Sequence, residues 1–146
     1  MLSFCLGGHR MEHSQVCGRL EISVPAQTAS LAQVRRLLRA FLSDHHVRED
    51  RGRGVVLVTH ELAANAIVHG STGEDEVVAI TITLERQSVL IRVVDPARTE
   101  AVPASLQPTA WRESGRGMVI VDQLATWSQG LHEGRREVSA KLPLEA

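Results

Sequence analysis

A glutamate and an asparagine stand one helical turn apart near the middle of the chain. Glu61 and Asn65 are four residues apart, as are the apolar residues Leu62 and Ala66. On a helix these two pairs form adjacent stripes, one polar and one apolar. The apolar stripe can pack on a sheet, whereas a carboxylate and an amide on a half-buried helix need partners. A hydrated divalent cation with phosphate would partner both, because an amide oxygen is a hard ligand and a carboxylate can hold a water or take a proton.

The elements that would position this pair follow from the apolar pattern. Alternating apolar residues predict strands, and apolar residues at helical spacing predict helices. Thr28 or Ser30 is expected to cap the first helix, and Gly70 to end the second. The predicted strands are 19–24, 77–84, 88–94 (closed by Asp95-Pro96), 126–129 and 137–142, and the predicted helices are 28–45, 48–69 and one opening at 114–117. This order predicts an α+β fold, a two-layer α/β sandwich with a mostly antiparallel mixed sheet covered by about three helices on one face.

Composition is typical of one globular domain. With 146 residues the chain can form a single core, and we expect 1–18 to be a flexible N-terminal tail and 19–146 the folded domain. The formal net charge of −1 leaves no basic excess for a nucleic-acid or membrane surface. No apolar run approaches the roughly 20 residues of a membrane span. The first residues lack the features of a signal peptide, so a cytoplasmic protein is expected.

Two metal-binding patterns are weak. Cysteines and histidines recur every fourth residue from Cys5 to Cys17. On a straight helix the outer pair would lie about 18 Å apart, too far for one ion, although a coiled tail could still bring the ligands together. His60-Glu61 begins the zinc-protease pattern H-E-x-x-H, but Ala64 stands where the second histidine is required.

A possible anion site lies later in the chain. Gly115, Arg116 and Gly117 precede an apolar helix, whose free N–H groups and positive dipole end would attract an anion, with Arg116 adding charge. The third glycine of a dinucleotide fingerprint would fall at Ile120, so that motif is set aside. Taken alone, Gly-Arg-Gly is also typical of a plain turn before a helix.

Taken in order, three segments resemble the conserved boxes of the GHKL ATPase superfamily. Residues 61–70 resemble its N box, Val93-Val94-Asp95 its first glycine box, and residues 115–118 its second glycine box. The short length and the spacing are most similar to those of the small anti-sigma-factor serine/threonine kinases. The resemblance covers about residues 19–144.

The resemblance implies a role for each matching residue. Asn65 would bind the Mg²⁺ that bridges the ATP phosphates, and Glu61 would orient or deprotonate the attacking hydroxyl. Asp95 would accept a hydrogen bond from the adenine amino group. The residues that would lie at the phosphates are Gly115, Arg116, Gly117 and Met118. Residues 97–114 would form the ATP lid, and Ser139 is the candidate for a hydroxyl that the family often places near adenine.

The first glycine box departs from the family's Asp-x-Gly-x-Gly. The segment after Asp95 reads Pro96-Ala97-Arg98-Thr99 and contains no glycine. Glycines there let the backbone pass close to the nucleotide. The lid must therefore take a different path, and Pro96 stiffens its start.

The resemblance implies an ATP-binding serine/threonine protein kinase of the anti-sigma-factor type. ATP and Mg²⁺ would be its cofactors, a sigma factor and a STAS-type antagonist its partners, and a homodimer its assembly, with no direct nucleic-acid or membrane contact. The glycine-less box favours an alternative, a non-catalytic partner-switching regulator that retains the fold with weak or no nucleotide binding. A third interpretation is a detached histidine-kinase catalytic domain, but nothing upstream resembles a phospho-accepting helix pair.

Overall fold

Five strands and three helices make up residues 15–70, 76–98 and 117–144, the parts of the chain that this computed structural model describes. In chain order they are β1 (Val16–Pro25), α1 (Ser30–Asp44), α2 (Glu49–Gly70), β2 (Val77–Glu85), β3 (Ser88–Arg98), α3 (Gly117–Leu124), β4 (Thr126–His132) and β5 (Arg135–Pro143). The strands lie in the order β1-β2-β3-β5-β4. The predicted α+β sandwich is confirmed. Every strand pairing among the described residues is antiparallel, so the sheet is not mixed.

Each strand turns one row of side chains toward the helices. Along β2 the buried Val78, Ile80 and Ile82 alternate with residues that are less buried, as the period of a strand requires. Helix α2 packs on β3, β2 and β5, while α1 packs on β1 and on α2. The core therefore lies between the helical layer and one face of the sheet.

Helix α1 follows the predicted pattern, but its cap does not. Leu38 is 0% exposed and Leu37 is 41% exposed, which shows that one side of the helix faces the core. The N-cap residue is Ala29, and no side-chain hydrogen bond caps the helix. The prediction of a Thr28 or Ser30 side-chain cap is therefore wrong. The backbone turn supplies the contact instead, because the Ser30 N–H donates to the carbonyl oxygen of residue 27 at 2.9 Å.

Helix α2 is the central element of the helical layer. Leu62 and Ala66 are each 1% exposed, so the predicted apolar stripe is buried. Thr59 is also buried in the helix, and its hydroxyl donates to the Val55 carbonyl at 2.8 Å. This internal bond satisfies a polar group that would otherwise be costly in the core. Gly70, the predicted stop, is the last residue of the helix.

Strand β3 continues past the point where the sequence predicted its end. Asp95-Pro96 was expected to close the strand, but β3 runs to Arg98. The register with β5 shifts between Val94 and Arg98. A bulge of this kind tolerates a proline, which has no N–H to give to a ladder. Pro96 is buried within it.

The last two strands are joined by a tight turn. Glu133 and Gly134 have φ angles of 50° and 75°, and two successive positive φ values are typical of a two-residue hairpin turn. Strand β4 consequently extends to His132, beyond the predicted residue 129. At the start of β4, the Trp127 Nε1–H donates to Asp122 Oδ1 at 2.6 Å, which ties the strand to α3.

At the other end of the sheet, β1 begins at Val16, so the last residues of the predicted tail form part of a strand. Residues 1–14 lie outside the described residues, and the predicted tail with its Cys/His series stays a prediction. Within the described residues, no helix combines the length and apolar character needed to cross a membrane.

Candidate functional site

Glu61 and Asn65 are both half-buried on α2, next to the fully buried Leu62. Their positions follow from helical geometry, which turns residues four apart toward the same side. Within residues 15–70, 76–98 and 117–144, no hydrogen bond or ion pair reaches the Glu61 side chain. Glu61 therefore presents a carboxylate that no described cation neutralises.

Asn65 connects α2 to α3. Its Nδ2 donates to the Met118 sulfur at 3.2 Å, and Met118 is 2% exposed. The contact uses the nitrogen of the amide and leaves its oxygen, Oδ1, as an acceptor. Two residues predicted for ATP binding, separated by 53 positions in sequence, are thus brought together, with Glu61 one turn away.

Helix α3 adds backbone donors to this region. It begins at Gly117, and its first turn contains no acidic residue. The first N–H groups of a helix have no partner within the helix, and its dipole favours negative charge there. Gly115 and Arg116, the other predicted phosphate contacts, and the predicted lid at 99–114 lie outside the described residues.

Asp95, the predicted adenine contact, is buried beside an arginine of β5. Val94 pairs with Glu137, so Asp95 and Arg136 are neighbours on the helix-facing side of β3 and β5. Arg136 Nε lies 2.9 Å from Asp95 Oδ2, and Nη2 donates to Oδ1 at 3.1 Å. Asp95 is 5% exposed and Arg136 is 0% exposed. Both carboxylate oxygens therefore face one buried guanidinium.

Burial and charge act in opposite directions on this pair. Burial lowers the pKa of the Arg136 guanidinium, while the charge and hydrogen bond of Asp95 raise it. An arginine remains charged in proteins despite such a shift. The pair is therefore a buried ion pair, in which each member offsets part of the desolvation cost of the other.

Arg136 is the residue that sequence reasoning missed. It stands two and four residues before Val138 and Ala140, in the apolar row of a strand. A charge buried in such a row requires a counter-charge. An arginine in the apolar row of a strand could therefore have indicated a buried ion pair. Ser139 lies in the opposite row, and its hydroxyl donates to Glu137 Oε1 at 3.3 Å. The two groups predicted near adenine, Asp95 and Ser139, thus lie on opposite faces of the sheet.

A groove of about 890 Å³ runs between α1 and α2. Arg35, Arg39, Val56, Leu57 and His60 are among its lining residues. None of the predicted site residues that the structure describes lines it. Arg35 Nη1 donates to His60 Nδ1 at 3.2 Å across it. The polar groups that could bind phosphate and metal do not line this groove but lie around Asn65.

The described residues form an antiparallel sheet backed by helices. The central helix carries an acid–amide pair beside the N-terminus of a second helix. This combination is typical of the nucleotide-binding ATPase domains related to histidine kinases. The sequence profile described as "Histidine kinase-like ATPase domain" matches residues 24–138. The chain belongs to this family, and thus to the GHKL type of ATPase.

A solved structure has a similar fold. A chain of the SiaB–SiaC complex from Pseudomonas aeruginosa superposes with a TM-score of 0.59 and 14% identity, over 90% of this chain and 92% of that chain. At this identity the likeness shows a shared fold. No curated protein sequence matches the chain.

The residues of the site suit one end of a metal nucleotide better than the other. Asn65 Oδ1, the Glu61 carboxylate and the first amides of α3 are the donor types that a magnesium ion and phosphates require. The carboxylate of Asp95, expected at the base, is instead held by Arg136. The residues at the phosphate end are therefore of the types that this ligand requires, and the contact of Asp95 with the base stays a prediction.

Proposed function

We propose that this chain is an ATP-binding serine/threonine protein kinase of the anti-sigma-factor type, which binds a sigma factor and phosphorylates a STAS-type antagonist. The observation that carries the proposal is the half-buried Glu61–Asn65 pair beside the N-terminus of α3. Membership of the ATPase family supports nucleotide binding. The presence of a solved structural relative in a two-protein complex supports a protein partner.

In this mechanism Asn65 would hold the metal through Oδ1, while its Nδ2 stays on the Met118 sulfur. That contact occupies the amide nitrogen and leaves Oδ1 available as a metal ligand. The first amides of α3 donate to the phosphate oxygens and stabilise the negative charge on them. When bound, Mg-ATP supplies the γ-phosphoryl group.

Glu61 acts on the acceptor hydroxyl of the protein substrate. The carboxylate orients the hydroxyl and takes its proton as the oxygen–phosphorus bond forms and the bond to the bridging phosphate oxygen breaks, leaving ADP. No described cation competes for this carboxylate. Positioning and electrostatics carry most of the rate in phosphoryl transfer, which suits so small a set of groups.

Radiolabel transfer from ATP to a candidate antagonist tests the catalytic role. Glu61→Gln keeps the shape of the side chain but removes the proton acceptor, so transfer should fall by about 10²-fold or more. Glu21→Gln, an exposed position on β1, is the matched control and should transfer at the wild-type rate. Equal transfer by wild type and Glu61→Gln would remove Glu61 from the mechanism.

Calorimetry tests the metal ligand. Wild type should bind ATP more tightly with Mg²⁺ than with a chelator, and Asn65→Ala should lose that difference because it removes the amide oxygen. Val68→Ala, one turn further along α2 and exposed, should keep it. Retention of full Mg²⁺ dependence in Asn65→Ala would exclude this ligand.

The Asp95–Arg136 pair favours a second candidate function. A regulator that switches between partners without chemistry would keep the fold and need no base contact, and here the family's acidic residue is held by Arg136. If calorimetry detects no Mg-ATP binding at about 1 mM, the binding free energy is weaker than about −4 kcal/mol. That result would favour this candidate over the kinase.

The proposal includes a homodimer in the cytoplasm. Sedimentation equilibrium of the full chain over a range of concentrations tests the assembly, and a mass of one chain at every concentration would contradict it.

A further inference from the structure

We propose that the groove between α1 and α2 binds an acidic amphipathic helix of a partner protein. The inference rests on the protein partner of the proposed function, and it specifies the surface used and the chemistry of the segment that the partner presents. Its basis is a set of arginines beside an apolar floor, in a groove that the described residues of the nucleotide site do not line.

The floor of the groove is apolar. Its apolar lining residues are Leu42, Val47, Val56 and Leu57. Leu42 and Val56 are buried, whereas Leu57 is 39% exposed. Removing exposed apolar surface from water favours association. A partner that fits this floor therefore presents apolar side chains of its own.

The charged lining of the groove is mostly basic. Arg35 and Arg39 come from α1, and Arg53 comes from α2. Glu49, the acidic residue among the described lining, already pairs with Arg53 at 3.2 Å. Within residues 15–70, 76–98 and 117–144, no carboxylate forms an ion pair with Arg35 or Arg39. The groove thus offers two guanidinium groups to the acidic side chains of a partner.

This basic character is local. The chain as a whole carries a formal net charge of −1, so an acidic partner is not attracted to its surface in general. Complementary charges across an interface set its register and exclude partners of the wrong sign. The arginines therefore select for an acidic segment at this groove.

The dimensions of the groove suit a helix. Its lining residues on α2 lie between 49 and 60, about 16 Å of helix axis, which equals about three turns. An amphipathic helix binds such a groove through apolar side chains at positions i, i+3, i+4 and i+7. The acidic side chains flanking that stripe would then reach the arginines on either side.

A single-stranded nucleic acid fits the lining less well. Grooves that bind single strands combine basic residues with aromatic rings on which the bases stack. The lining residues that the structure describes include no phenylalanine, tyrosine or tryptophan. The apolar floor favours a protein segment instead.

Two labelled peptides, titrated into the full chain, give the first test. Each has about 18 residues, long enough to form a helix on binding, with leucines at helical spacing. Glutamate fills the polar positions of one peptide and lysine those of the other. Fluorescence anisotropy should show the glutamate peptide binding at least about tenfold more tightly, and more weakly as salt is added. Equal or tighter binding of the lysine peptide, or no binding of the glutamate peptide at about 1 mM, would overturn the inference.

Charge reversal shows whether the groove is the binding surface. Arg35→Glu with Arg39→Glu should reverse the preference between the two peptides. Arg36→Glu with Arg86→Glu alters the net charge equally at exposed positions outside the groove lining, and it should keep the wild-type preference. If thermal melts show that the first double variant is unfolded, the exposed single change Arg39→Glu is compared with Arg36→Glu. Equal effects inside and outside the groove would overturn the inference.

A matched pair of leucines tests the apolar floor. Leu57→Ser should weaken binding of the glutamate peptide by about fivefold or more, because it removes an apolar contact. Leu37 is 41% exposed on α1 and does not line the groove, so Leu37→Ser should stay within about twofold of wild type. Equal binding by the two variants would contradict an apolar contact at this floor.

Other occupants of the groove are separate outcomes. Sedimentation equilibrium that gives a dimer for Arg36→Glu and a monomer for Arg39→Glu would assign the groove to a second copy of the chain and overturn the inference. Tighter binding of single-stranded oligodeoxythymidine than of the glutamate peptide, lost in Arg39→Glu, would assign it to nucleic acid, with the same consequence.

The peptide measurements need no nucleotide, so they stand apart from the kinase tests. Failure of the glutamate peptide to bind contradicts this inference and leaves phosphoryl transfer by Glu61 to be measured separately. Failure of Mg-ATP to bind contradicts the kinase proposal and leaves the peptide result unchanged.

Discussion

Among single residues, Arg136 shows most clearly how one buried charge constrains its neighbours. Its guanidinium lies in the apolar row of β5, where the sheet otherwise buries residues such as Val138 and Ala140. The two oxygens of Asp95 offset part of the cost of removing that charge from water. Neither residue can change alone without affecting the other.

Arg136→Met alone should lower the free energy of unfolding by about 3–5 kcal/mol, because it leaves the Asp95 carboxylate buried without that guanidinium. Urea denaturation followed by circular dichroism measures the change. Arg135→Met, at the next position and in the outward-facing row of β5, is the control and should stay within about 0.5 kcal/mol of wild type. Equal effects of the two variants would contradict a buried ion pair.

The sequence predicted the Glu61–Asn65 pair correctly because both residues lie on one helix, and helical spacing alone sets their direction. It did not predict the Asp95–Arg136 pair, whose members are 41 residues apart and meet only through the register of two strands. Arg136 carried no motif, and Asp95-Pro96 is ordinary turn chemistry. Contacts set by strand pairing are the part of the site that local pattern could not supply.

At the scale of the elements, helix α1 has one buried side and one exposed side, and two adjacent leucines lie on opposite sides. Leu38 is 0% exposed and the preceding Leu37 is 41% exposed. Leu38→Ala should lower the free energy of unfolding by about 2–5 kcal/mol through lost burial and the cavity it leaves. Leu37→Ala, measured in the same denaturant series, should cost well under half as much. A reversed order would mean that α1 packs by its other side.

The close approach of β1 to the end of α1 depends on a glycine. A Cβ on Gly18 would lie 2.5 Å from His45 Nε2. The ring of His45 is held by its Nδ1–H, which donates to the Phe41 carbonyl at 2.8 Å, and by contact with the Phe41 ring. Ring displacement would break that hydrogen bond.

Gly18→Ala should therefore lower the free energy of unfolding by about 1 kcal/mol, the net contribution of such a bond. Gly130→Ala, where a Cβ meets nothing within 4 Å, should be neutral or stabilising because a strand glycine loses more backbone entropy than alanine. In a His45→Ala background, Gly18→Ala should become as harmless as Gly130→Ala. A thermal melt series on the four variants would contradict this account if the background made no difference.

Long segments with a periodic apolar pattern predicted the type of each element well. The ends of these elements depend on contacts that do not follow that pattern. The apolar rows of α2 and β2 gave the type of each element. The end of β3 was misjudged because a bulge opposite β5 accommodates Pro96. The start of α1 was misjudged because a backbone turn replaces the expected side-chain cap.

Over the whole molecule, the strand order and the single helical layer bring distant segments to one region. Helix α3 contacts α2, and through Met118 it reaches Asn65. A ligand held by both helices would therefore oppose unfolding of the whole domain, since it binds only the folded state.

Mg-ATP at about 100 times its dissociation constant should add about 2.7 kcal/mol to the free energy of unfolding. For a chain of this size the midpoint of thermal unfolding should rise by roughly 5–10 °C. Differential scanning calorimetry measures the shift, which should disappear in Asn65→Ala and persist in Val68→Ala. An equal shift in Asn65→Ala would place the ligand elsewhere.

Fold class was predictable as a whole because the order of strands and helices restricts how two layers can form. The purely antiparallel pairing was not, since nothing in the local pattern distinguishes it from a mixed sheet.

The Trp127 indole, which donates a hydrogen bond to Asp122 at 2.6 Å, can serve as an intrinsic fluorescent probe of α3. The chain contains two tryptophans and no tyrosine, so Trp111→Phe would leave Trp127 as the sole strong emitter in the near ultraviolet. Its indole contacts Asp122 near the C-terminal end of α3, the helix whose N-terminus is proposed to bind phosphate. Quenching or a spectral shift of Trp127 fluorescence on titration with Mg-ATP would then show, without any label, whether ligand binding at the start of α3 affects its other end.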